Sequence, residues 1–153
     1  MLPAKNSPLI AKYIISNSRP LTPLQINKLC FFSHGWYLGI HGQPLISETV
    51  EAWKYGPVIP STYHMFKTNE RKTVSFYDFY KHDLDESMFT DDEKDVMNQV
   101  IDFYSSINGG QLIGITHQKN SPWHQVYEED KSYIPIPNDI IQEYYKEKYA
   151  NLD

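Results

Sequence analysis

Six histidines, one cysteine and a dense acidic run are the residues that could give this chain catalytic or metal chemistry. His34 and His41 stand seven residues apart on an expected helix, about 10 Å along its axis, too far for one ion to touch both. Cys30 and His34 are one turn apart and could share a ligand face. Cys30, however, lies within Leu29-Cys-Phe-Phe32, where a small buried hydrophobe is the ordinary role. No His-Glu-x-x-His occurs, and the acids Asp83, Asp85, Glu86, Asp91, Asp92, Glu93 and Asp95 lack the turn glycine of a calcium loop. A nucleophilic site needs Ser or Cys beside a His, and no Gly-x-Ser-x-Gly elbow nominates one. Gly109-Gly110-Gln-Leu-Ile-Gly114 has the wrong spacing for a dinucleotide fingerprint and follows no strand. His64 and His117, each near a Trp-containing segment, are expected to be hydrogen-bonded structural residues rather than catalysts. No catalytic residue, metal or cofactor is expected.

The elements that would hold such residues are organised around Glu51-Ala-Trp-Lys-Tyr-Gly-Pro-Val-Ile-Pro60. Gly56 supplies a backbone angle that other residues resist, and Pro57 fixes the next. The result is a rigid aromatic corner between a short strand, 47–53, and a helix, 60–67. Upstream, Ser7-Pro8 starts a short helix that Arg19-Pro20 stops, expected as a lid on the core. Thr22-Pro-Leu-Gln25 reads as a capping box opening a helix to about His41, closed by Gly42. Ile26, Leu29, Cys30, Trp36, Tyr37 and Ile40, widened by Phe31, Phe32 and Leu38, make it the central buried helix. Gly35 and Gly39, one turn apart, leave a groove for another backbone.

Downstream, Thr73–Tyr80 is aromatic and β-branched and is expected as a strand pairing with the earlier one. Thr90-Asp-Asp-Glu93 is a second capping box. It opens a helix bearing Val96, Met97, Val100, Ile101, Tyr104 and Ile107 that ends at Asn108-Gly109-Gly110. A short helix over 111–117, another from Ser121-Pro122, an extended Ile134-Pro-Ile-Pro137 and a last helix capped by Asn138 complete the chain. The fold class is mainly α (α+β), a single domain over 1–153 around the helix at about 22–41, with a small two-stranded β element.

Composition bounds the function. Hydrophobic residues at 41% and charged residues at 22% describe an ordinary folded domain. A single cysteine cannot form an internal disulfide, the start lacks a leader pattern, and no apolar run reaches the ~18 residues of a membrane span. Those features predict a cytoplasmic protein. A net charge of −5 with two arginines argues against a surface that tracks phosphates and favours a basic protein partner. The aromatic content, 3 Trp, 12 Tyr and 7 Phe, is high enough to supply both core and binding surface.

Three blocks taken together resemble one family. Leu24-Gln-Ile-Asn-Lys-Leu29, the Trp-Lys-Tyr-Gly-Pro corner with Tyr63 and Phe66, and Leu112 through Thr116-His117 to Pro122-Trp123 are similar to the Panacea domain of SocA-type antitoxins, also met as phage-associated GepA proteins. The resemblance spans about residues 8–127. It implies a mostly helical cytoplasmic domain that neutralises a toxin by binding it and in some members hands the toxin to a protease. It implies no reaction and no cofactor. Gln25, Lys28, Leu29, Trp53, Gly56, Pro57, Thr116, His117 and Trp123 are the motif residues, expected to be structural. The segment 73–80 falls in a variable region where partner choice could reside.

The leading expectation is therefore a toxin-binding protein whose surface includes Trp53, Tyr55, Tyr63, Phe76, Tyr77, Phe79 and Tyr80. For Trp53 a place in the core is favoured over a place on that surface, whereas alternation must turn some of the 76–80 aromatics outward. Two other classes compete. One is a small phage-derived hydrolase using His64 or His117. The other is a nucleic-acid-binding regulator with a basic face of Lys54, Lys67, Arg71 and Lys72.

Overall fold

A computed structural model describes residues 3–69, 72–75 and 84–150. The central helix, α2 (Pro23–His41), begins and ends where its local signals place it. Thr22 Oγ1 accepts the Gln25 amide at 3.2 Å, and Gln25 Oε1 accepts the Thr22 amide at 2.9 Å, so two orphan donors are satisfied reciprocally. At the far end Gly42 adopts φ 70°, and its amide returns to the Leu38 carbonyl at 2.9 Å. Every residue from Ile26 to Leu38 is buried, so α2 is the axis around which the domain is built.

Its neighbours follow from what those faces offer. α1 (Ser7–Ser16) is capped by the Asn6 side chain, which accepts the Leu9 amide at 3.0 Å. With Ile10, Ala11, Ile14 and Ile15 buried, α1 is part of the core rather than a lid over it. α4 (Asp91–Tyr104) has its own capping box at Thr90 and buries Val96, Met97, Val100, Ile101 and Tyr104. α7 (Asn138–Ala150) crosses the glycine groove of α2. There the Tyr145 ring covers Gly35, and a Cβ at Gly39 would lie 2.7 Å from the Tyr145 carbonyl carbon.

Among the described residues the β element is antiparallel and has three strands, in the order β2-β1-β3, rather than two. β1 (Val50–Trp53) pairs with β2 (Gly56–Val58), which is the corner itself, through Glu51↔Val58, Ala52↔Pro57 and Trp53↔Gly56. On its other side β1 pairs with β3 (Ile134–Ile136), Pro135 standing opposite Glu51. An edge strand needs only one ladder, so alternating prolines are tolerated there. Within the segment expected to be a strand, Val74 instead bridges Leu21, with amide-to-carbonyl distances of 2.6 and 3.0 Å. Residues 76–80 lie outside the described residues.

α3 (Pro60–Phe66) leaves the corner directly, and α5 (Gly109–Thr116) and α6 (Pro122–Val126) lie between α4 and β3 in the chain. Asn108 Oδ1 accepts the Gln111 amide at 2.9 Å, so Asn108-Gly-Gly both follows one helix and starts the next. No helix among the described residues is long and apolar enough to cross a membrane.

Candidate partner-binding site

The corner is a hairpin with Lys54 and Tyr55 as its two-residue loop. Gly56 follows with φ 120°, a conformation that L side chains rarely adopt. Space is tight as well, because a Cβ at Gly56 would lie 2.8 Å from both Lys28 Nζ and Thr116 Oγ1 and would have to displace them. Behind the strand, α2 supplies the polar partners that β2 lacks on its outer edge. Lys28 Nζ donates to the Pro57 carbonyl at 3.0 Å. Asn27 accepts the Ile59 amide at 3.0 Å and donates to the Ile59 carbonyl at 3.1 Å. Buried backbone groups are thus satisfied by two side chains of a helix that is otherwise largely apolar.

The third block closes the corner from the other side. Trp123 Nε1 donates to the Trp53 carbonyl at 2.6 Å. His117 lies parallel on Trp123, with ring centroids 3.7 Å apart, and Trp123 stacks in turn on Tyr127 at 4.5 Å. Ser121 Oγ donates to the Thr116 carbonyl at 2.7 Å, and Thr116 is buried against Gly56. Leu29 is fully buried, and Gln25 Nε2 donates to the Ile107 carbonyl at 2.9 Å, fastening the α4–α5 loop to α2. The residues of the three sequence blocks therefore support one hairpin.

In front of the corner is an open pocket of about 390 Å³. Its walls are Pro23, Leu24, Val58, Trp53, Tyr55 and Tyr63, with Lys28 and Asn27 in the floor and Lys54 and Lys67 completing the lining. Trp53 is half-buried rather than wholly in the core. Its Nε1 donates to Glu51 at 2.9 Å, which turns the ring so that it meets Tyr63 edge-on at 4.9 Å and Tyr133 at 5.7 Å. Tyr55, Tyr63 and Tyr133 are 61%, 43% and 66% exposed, far more than core aromatics. Phe76, Tyr77, Phe79, Tyr80 and Arg71 lie outside the described residues.

The electrostatics of the floor are set by burial. Desolvation pushes the Lys28 ammonium down to about 7, with no ionised partner among the described residues to offset it. His117 is also lowered, by burial first and then by the Lys28 charge, while a backbone group of Tyr55 opposes the shift. His117 Nε2 is buried without a partner, and His64 is exposed beside Tyr63, 5.4 Å between rings. Among the described residues neither imidazole hydrogen-bonds a hydroxyl, thiol or carboxylate, and no three metal-ligating side chains come together. Cys30 is wholly buried, which pushes its thiol up, and His34 bonds to Asn138 and to backbone amides.

Residues 26–124, well over half of the chain, match the family model described as antitoxin SocA-like, Panacea domain. The chain belongs to that family. It is similar to Antitoxin SocA of Caulobacter vibrioides (strain NA1000 / CB15N), 29% identical over 110 residues, which is 68% of this chain and 58% of that protein. The aligned region thus spans under two thirds of the relative. No solved structure matches the chain.

The Panacea match contains Lys28, the whole corner, His117 and Trp123, and every described residue that lines the pocket except Pro23 and Leu24. It stops inside α6, before Tyr133 and the third strand. Tyr133, with φ 57°, is the aromatic that sequence reasoning misses. Its contact with Trp53 arises only from the β1–β3 pairing, which nothing local announces.

Proposed function

We propose that this chain, acting as one domain over residues 1–153, is an antitoxin that neutralises a partner toxin by direct binding at the corner pocket. The observation that carries this reading is that Trp53, Tyr55 and Tyr63 line one open pocket on a hairpin pinned from behind by Asn27, Lys28 and Trp123. Half-exposed aromatics on a fixed backbone lose little freedom on binding, and Trp and Tyr are the residue types that most often anchor an interface. Membership of an antitoxin-like family supplies the class of partner.

The test is expression of the neighbouring reading frame alone and with this chain. Growth arrest relieved by the wild type but not by a Trp53→Ala, Tyr63→Ala double variant supports the reading. Equal relief by the double variant removes the pocket from it, and no relief by the wild type removes the antitoxin role. A shorter toxin lifetime in the rescued cells would add delivery to a protease.

A further inference from the structure

The floor of the corner pocket differs in charge from the protein as a whole. The chain carries a net charge of −5, yet among the described residues three lysines and no acidic residue line this cavity. Lys28 enters from α2 and is almost fully buried, and among the described residues its ammonium has one acceptor, the Pro57 carbonyl at 3.0 Å. An ammonium has three donors, so two remain for whatever fills the cavity. Lys54 and Lys67 stand in the same lining, and Leu24, Trp53 and Tyr63 make its walls apolar. Burying a cation with so little compensation is costly unless a counter-charge is supplied.

We infer that the pocket receives a carboxylate of the toxin, set next to an apolar side chain, with the carboxylate against Lys28 and the apolar group against Trp53 and Tyr63. This rests on the antitoxin reading above. A carboxylate suits the site better than a phosphate. The apolar walls of Leu24, Trp53 and Tyr63 favour an apolar flank beside the anion, which a free phosphate lacks. The cavity is of the size that accepts one side chain and its adjoining backbone. Docking of the carboxylate opposes the burial that lowers Lys28, so the complex takes up a proton near neutral pH. Among the described residues the other titratable groups around it are Lys54, Lys67, Tyr55 and Tyr63 in the lining, His117 behind the floor, held low by burial, and Glu51 bonded to Trp53; the two lysines favour an anion.

The experiment has two arms on the full chain. In the first, lysine side-chain carbon resonances are followed while three peptides and, separately, inorganic phosphate are added at millimolar concentration. The peptides are acetyl-Ala-Phe with a free carboxyl end, the same dipeptide amidated, and acetyl-Phe-Asp-Phe-amide. The acids are expected to move the Lys28 signal and raise its titration midpoint, and the amide to do neither. Response to the free end alone assigns a chain terminus, and response to the internal Asp assigns a side chain. Equal response to acid and amide, response to inorganic phosphate alone, or no response overturns the inference. In the second arm toxin affinity is compared for wild type, Lys28→Met and the rim pair Lys54→Ala, Lys67→Ala, whose exposed loop and helix-end positions leave the core intact. Lys28→Met is expected to bind at least about tenfold more weakly and the rim pair several-fold. Unchanged affinity in both variants sinks the inference and spares the antitoxin reading. A wild type that does not bind the toxin sinks that reading and leaves the peptides to decide the pocket.

Discussion

His34 donates from Nε2 to the side-chain oxygen of Asn138 at 2.9 Å, joining the middle of α2 to the first residue of α7. On the opposite side of the ring, Nδ1 accepts the amides of Leu45 and Ile46 at 3.3 Å each. A proton on Nδ1 would face two donors, so the ring is neutral with its hydrogen on Nε2. Burial holds its pKa down to about 4 against an ordinary 6.5. Between those values the unfolded chain binds more protons than the native one, so stability from this group is complete above about 6.5 and is lost as pH falls through about 4.

Urea unfolding at stepped pH should therefore show stability declining across that window, and His34→Gln should flatten the decline. Glu48 acts in the same direction at lower pH. Its partial burial alone would raise its pKa, but hydrogen bonds from Ser61 and Ser7 hold it below the usual 4.5. An unchanged profile in His34→Gln would place the acid sensitivity elsewhere.

Lys5 Nζ reaches both oxygens of Glu93, at 2.6 and 2.8 Å, with both side chains almost fully buried. Glu93 also accepts the Thr90 amide at 2.8 Å, so one carboxylate caps α4 and neutralises a buried ammonium. Glu93→Gln keeps the capping geometry and strands the cation, at a cost of about 3–5 kcal/mol. Adding Lys5→Met should recover much of that loss. Strict additivity in the double-mutant cycle would show that the pair is not coupled.

How much of this was legible beforehand depends on how far each signal reaches. α2 can be read to its last residue because Thr22, Gln25 and Gly42 act on partners within four positions. The glycine groove is legible for the same reason, although the helix that fills it is not. Glu93 reads as one more acid at a helix start, and only Lys5, 88 positions away, makes it a buried ion. Lys28 sits among apolar neighbours, and its acceptor lies 29 positions on. The third strand is hidden because its prolines argue locally against a ladder. In the pocket the aromatic types were evident from the corner, but its basic floor runs opposite to the acidic whole, from which a basic partner would be expected.

At Gly39 an added methyl meets the backbone of Tyr145 and Lys146, at 2.7 and 2.8 Å, whereas at Gly35 it meets the Tyr145 ring. Backbone yields less readily than a side chain. Gly39→Ala should thus cost more than Gly35→Ala, with a loss of at least about 1–3 kcal/mol. Chemical denaturation ranks the pair, and hydrogen exchange should show the added opening concentrated in α7.

Because Lys28 is lowered to about 7 from 10.5, the unfolded chain holds the proton more tightly between those values. Stability therefore rises with pH in that range. Relative to Lys28→Met, the wild type should gain about 1.4 kcal/mol per pH unit from pH ~7 to ~9, below tyrosine ionisation. A difference that does not change with pH would mean that water reaches the amine.

Trp53→Ala and Tyr63→Ala should each weaken toxin binding by about 2 kcal/mol or more if they anchor the complex. Phe103→Ala is the control, since Phe103 is equally conspicuous, exposed on α4 and absent from the pocket lining. Isothermal titration with purified toxin gives the comparison. A loss at Phe103 equal to that at Trp53 would move the interface to α4.

The glycine groove also orders events during synthesis. α2 leaves the ribosome long before α7, and β1 before β3, so a nascent chain carries the hairpin without its outer strand and a core helix with one flank bare. Chaperone engagement should be strongest in that interval and should fall when residues 134–150 dock and the flank closes.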